Sequence, residues 1–149
     1  MNVKQALKVK NKLVTDLKAN FEILKKYNSI EEGNPRRYSM EETLDKITTL
    51  SNELVELKTQ IHRANAPVYD KIFALAELKG LVKELKKVPT DEGKQTERYG
   101  SVVSVKEVEL NIVDIQKKVD ILNVKIEELQ NELDIHNANT IIYNANTII

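Results

Sequence analysis

The sequence predicts an all-α protein: an antiparallel four-helix bundle of long, coiled-coil-like helices, with a short extended (β) arm before the last helix. Three observations carry that expectation. Ile112, Ile115, Val119, Leu122, Ile126, Leu129 and Leu133 are spaced three and four apart without a break, the seam of a coiled coil. Charged residues make up 31% of the chain and aromatics only 5%, a balance common in long helices. The four helical stretches also alternate in charge, so an up-down-up-down order sets each beside oppositely charged neighbours.

The first helix spans residues 3–27. Val3, Leu7, Val14, Leu17, Phe21 and Leu24 keep the three-four rhythm, and Leu13 and Ile23 widen the stripe. Lys4, Lys8, Lys10, Lys12, Lys18, Lys25 and Lys26 face Asp16 and Glu22, a net of +5. Gly33, Asn34 and Pro35 then end the helix and make a loop. Ser39 opens the second helix (residues 40–65), with Glu42 three residues on in the capping-box spacing. Its stripe is Leu44, Ile47, Leu50, Leu54, Leu57 and Ile61. Glu41, Glu42, Asp45, Glu53 and Glu56 against Lys46 and Lys58 give −3. Pro67 disfavours helical geometry at Ala66 and stops it near Asn65.

Pro67 suits the first turn of a third helix (residues 67–88), where a missing N–H costs nothing. Ile72, Leu75, Leu78, Val82 and Leu85 form its inner face. Lys71, Lys79, Lys83, Lys86 and Lys87 against Asp70, Glu77 and Glu84 give +2. Gly80 inside it costs roughly 1 kcal/mol relative to Ala. Residues 89–100 are polar, contain Gly93 and Gly100, and read as a flexible loop. Val103, Val105, Val108 and Leu110 then alternate partly with Ser, Lys and Glu, which predicts an extended arm over 102–110. Asn111 caps the last helix (residues 111–136). There Asp114, Asp120, Glu127, Glu128, Glu132 and Asp134 against Lys117, Lys118 and Lys125 give −3. The bundle is expected as one domain over residues 1–136, followed by an Asn-rich tail (137–149). His136-Asn-Ala-Asn-Thr-Ile-Ile142 and Tyr143-Asn-Ala-Asn-Thr-Ile-Ile149 are identical at six of seven positions. Asn-Ala-Asn continues a helix poorly and Thr-Ile-Ile favours an extended chain, so the tail reads as a strand seeking an edge.

Composition narrows the function classes. Lys plus Arg equals Asp plus Glu, 23 each, so no global field recruits nucleic acid or anionic lipid. The Lys4, Lys8, Lys12 ridge has no interleaved aromatic of the kind single-strand binding uses. There is no cysteine, no Gly-rich phosphate loop and no paired-His protease motif, and the expectation is no enzyme. No cofactor is expected, with one opening for a divalent metal: His62 and His136 both fall at a helix C-terminus and in a bundle would share one end. The helix dipole favours His at such a position on its own account. With no apolar leader and no run near the ~20 residues of a spanning helix, the expectation is a cytoplasmic protein with no membrane partner.

Arg63-Ala64-Asn65, Glu97-Arg98-Tyr99, Ile115-Gln116-Lys117-Lys118 and Asn139 resemble the septicolysin-like family of small bacterial helical proteins, whose members are mostly uncharacterised. The resemblance implies a long-helix bundle that self-associates. The chain departs from the family's pattern where Pro67 follows helix two almost at once, and where Thr140 stands in place of a Trp. The leading expectation is a non-enzymatic structural protein that assembles with itself. Its interface is drawn at Ile115, Val119, Leu122, Ile126 and Leu129 on the seam. Val103, Val105, Val108 and Leu110 join from the arm, and Asn139, Ile141, Ile142, Tyr143, Ile148 and Ile149 from the tail. A membrane-acting, cytolysin-like protein is the alternative that the family name implies. A metal-binding oligomer using His62 and His136 is a further one.

Overall fold

The structure is a computed structural model and describes residues 1–97 and 99–143. Among these residues it is all-α, with four long helices and one small β-hairpin. The chain divides into two units, Met1–Pro67 with Asp134–Ile149, and Val68–Leu133.

In the first unit, α1 (Val3–Tyr27) and α2 (Met40–Ala64) form an antiparallel pair. Val3 and Ala6, at the start of α1, pack with Leu57 and Ile61 near the end of α2, and Leu7, Leu13 and Ala64 border them. The capping box anticipated at Ser39 is half made: Ser39 Oγ accepts from Glu42 N at 3.2 Å. The full reciprocal pair lies at Asn2 and Gln5, which have the same spacing. Asn2 Oδ1 accepts from Gln5 N, and Asn2 N donates to Gln5 Oε1, both at 2.9 Å. At the other end of α1, the Arg36 guanidinium donates to Tyr27 O and Asn28 O at 2.6 and 3.0 Å. A cation there satisfies the last carbonyls and the negative end of the dipole. The apolar stripe sits slightly off its expected phase. Thr43 is buried and Leu44 is 52% exposed, with the Thr43 hydroxyl donating to Ser39 O at 2.8 Å. Val14 and Phe21 on α1 are likewise exposed.

The second unit pairs α3 (Tyr69–Leu85) with most of α4 (Ile112–Asn139), antiparallel. Val82 packs among Ile115, Val119 and Leu122, and Val68 and Leu75 pack with Leu133. The Lys71 ammonium meets Glu132, and Lys79 Nζ reaches Gln130 Oε1 at 3.4 Å. Asn111 caps α4 as expected: its Oδ1 accepts from Asp114 N at 2.9 Å, and its own N–H donates to Asp114 Oδ2 at 3.1 Å. Pro67 falls inside a 3₁₀ turn (Ala66–Val68), so the α-helix starts two residues later than its position predicts. The same helix stops at Leu85, short of 88, in tight turns from Lys87 N to Glu84 O and Val88 N to Leu85 O.

The region between these helices corrects two expectations. The supposed loop at 89–100 contains strand β1 (Gly93–Thr96), and the arm shortens to strand β2 (Val102–Lys106). The two pair antiparallel, Gly93 opposite Lys106 and Lys94 opposite Val105, with an irregularity after Gln95. Gly100, at φ +84°, donates to Glu97 O and closes the turn. The arm is therefore half of a hairpin rather than a free strand.

Candidate functional site

The feature that joins distant parts of the first unit is a clasp between the start of α1 and the end of α4. Helix α4 continues through Asn137-Ala138-Asn139, three residues beyond the end that Asn-rich sequence predicts. The reason is tertiary. Asn2 Nδ2 donates to Ala138 O at 3.0 Å, and Val3 N donates to Thr140 O at 3.0 Å. Val3 N is one of the amides left without an intrahelical partner at a helix N-terminus, so α1 has a donor to spare for the incoming chain. Ile142 N then donates to Met1 O at 2.8 Å, and Asn2 and Ile141 form an antiparallel bridge. Asn suits this post because its oxygen caps α1 while its amide nitrogen donates outward; Ser, Thr or Asp could supply only part of that.

Side chains follow the in-out alternation of a strand. Ile142 is 5% exposed within the cluster of Val3, Ala6, Leu57 and Ile61, whereas Ile141 is 50% and Tyr143 82% exposed. A shallow groove beside them is lined by Gln60, Arg63, Ala64, Ile141, Ile142 and Tyr143. Gln60 Oε1 is buried there with no hydrogen-bond partner among the described residues. His136 ties the ends of α2 and α4 together. Its Nε2 lies 3.3 Å from Asn65 Oδ1 and its Nδ1 3.1 Å from Thr140 Oγ1. The neutral tautomer with its proton on Nε2 satisfies both contacts.

The residues named from sequence as an interface separate into three groups. Ile115, Val119 and Leu122 are buried against α3, and Ile126 and Leu129 are half-buried beside them. The packing on α3 buries Ile115, Val119 and Leu122 within the chain. Val105, Leu110, Asn139, Ile141 and Tyr143 are exposed, Val108 is half-buried, and Ile142 is spent in the clasp. The Val103 side chain, Ile148 and Ile149 lie outside the described residues.

The metal reading gains no geometry. His62 is exposed, both ring nitrogens of His136 are engaged as above, and no group of three or more metal-ligating side chains occurs among the described residues. No helix among the described residues is long and apolar enough to cross a membrane. Sequence reasoning missed the Met1-Asn2-Val3 half of the clasp. The signal that could have found it was the Asn2–Gln5 spacing, a capping pattern as clear as the one at Ser39. No protein-family model matches this chain, and no curated protein or solved structure shows a significant similarity to it.

Proposed function

We infer that this is a non-enzymatic structural protein that associates with copies of itself. The observation that carries the reading is that α3 and α4 also carry large apolar side chains outside their packed faces. Their inner faces fill the core of the second unit, yet Phe73 (63% exposed), Ile112 (66%), Val113 (55%), Ile121 (64%) and Val124 (59%) stand on the outside. A helix of an isolated soluble domain normally keeps its second side polar; one that is apolar all round is a helix with something packed on both sides. Tyr69 and Phe73 stack at 5.6 Å between ring centroids, a flat aromatic element of the kind that anchors interfaces.

Sedimentation of the full chain across a wide concentration range tests the reading. Association that weakens in a variant carrying Ile121→Lys and Val124→Lys, with helicity unchanged, supports it. A monomer at every concentration refutes it. Leakage from dye-loaded liposomes by a chain that stays monomeric in solution would replace it with the membrane-acting alternative.

A further inference from the structure

The clasp uses a defined set of residues, and the chain contains that set twice. Ala138 O, Thr140 O, the Ile141 bridge and the buried Ile142 side chain all belong to the first Asn-Ala-Asn-Thr-Ile-Ile copy. Each recurs seven residues on, as Ala145, Thr147, Ile148 and Ile149. The one position at which the copies differ is His136 against Tyr143. His136 contacts Asn65 and Thr140 through its ring and takes no part in the strand that meets Met1 to Val3. The duplication has kept what the receptor reads and changed what it does not.

We propose that the surface formed by Met1, Asn2, Val3, Ala6, Leu57 and Ile61 is a receptor for the Asn-Ala-Asn-Thr-Ile-Ile motif, filled by the first copy within a chain and able to take the second copy from another molecule of this protein. The contact is β-strand addition in a minimal form: backbone bonds from Val3 N and Met1 O give affinity, and the cavity that holds Ile142 gives selectivity. Arrival of a second-copy motif displaces the resident first copy, an exchange of like for like. The donor tail and the receptor are different surfaces, so after an exchange the acceptor still offers its own tail and the donor still offers an exchangeable receptor, and linkage propagates from chain to chain. The resident copy is tethered, with an effective concentration on the order of millimolar, so exchange is favoured only in concentrated protein or when the resident copy is weakened. As an assembly device the receptor rests on the self-association reading above; as a binding site it is tested independently of that reading.

The test uses the full chain with Ile142→Asp and Ile149→Asp, which disables both copies of the motif and leaves the receptor vacant. A synthetic heptapeptide of residues 143–149 is titrated in and backbone amide shifts are followed by NMR. Saturable shifts at Val3, Ala6, Leu57 and Ile61 are expected, with binding weakened at least about tenfold when both peptide isoleucines are replaced by Asp, chiefly through loss of the one buried aliphatic side chain, the equivalent of Ile142. No shift at those amides, or equal shifts with both peptides, overturns the proposal. Should the double variant lose its helical circular dichroism, the wild-type chain serves. Excess peptide then displaces the resident copy and moves the Ile142 amide while the helix amides beyond Ala6 stay put; an unmoved Ile142 amide at several millimolar peptide, on the order of the tethered concentration above, overturns it. Peptide binding by a chain that never self-associates would sink the assembly reading and leave the receptor standing. Association with no peptide binding would do the reverse.

Discussion

Replacing Ile142 by Ala probes the clasp most directly. The side chain is 5% exposed and packed on Val3, Ala6, Leu57 and Ile61, so truncation removes three buried carbons. At about 0.8 kcal/mol per carbon the transfer loss is about 2.4 kcal/mol, before any cavity cost. The segment that holds it is short: backbone bonds at Val3 N and Ile142 N plus the Asn2 amide bond to Ala138 O, each worth about 1 kcal/mol net. The loss is therefore comparable to the whole docking energy. The segment should open locally, without unfolding of α1 and α2. A change of 2.4 kcal/mol is roughly a 50-fold shift in that opening equilibrium. Native-state hydrogen exchange reads it at the Val3 and Ile142 amides, with the Val119 amide in the other unit as an internal reference. Exchange about 50-fold faster at Val3 and Ile142, with Val119 unchanged, is the expected result. Unchanged exchange at Val3 would refute the reasoning, because the acceptor of Val3 N, Thr140 O, belongs to the segment that Ile142 anchors.

Two further outcomes follow from local structure. Gly80 lies inside α3, exposed, with open space around an added Cβ, so Gly80→Ala should stabilise the protein by about 1 kcal/mol, seen as a melting temperature higher by about 3 °C. The hydrogen bond and charge of Glu132 raise the pKa of Lys71 above its ordinary 10.5. The pair's contribution is thus fully present below about pH 10.5, where Lys71 is charged in the folded and unfolded chain alike, and is lost as pH rises through the raised folded value. The pair is exposed and its contribution small. The melting-temperature difference between wild type and Lys71→Gln should stay constant from neutral pH to about pH 10 and shrink beyond it.

Much of the local architecture was legible in the chain, because helices announce themselves through neighbours three and four residues apart. Val119, Leu122, Val82 and Leu75 lie where periodicity predicts, and Asn111 caps α4 as its residue type suggests. Errors came where side-chain identity says little. β1 reads Gly-Lys-Gln-Thr, with no apolar alternation, and is a strand only because its backbone faces that of β2. The contact of the His136 ring with Asn65, 71 positions away in sequence, is likewise absent from the local pattern.

By itself the sequence determined an all-α protein, the number of its long helices, the inner faces of α3 and α4, the cap at Asn111 and the duplicated tail. All of these are written in residue type and short-range spacing. Only the tertiary structure decided that Ile115, Val119 and Leu122 are buried within the chain, that Phe73, Ile121 and Val124 are exposed, and that Asn2 holds Ala138 from 136 residues away. The physical reason is that backbone N–H and C=O groups are the same at every residue. Where two distant segments meet through them, no side-chain pattern has to record the meeting.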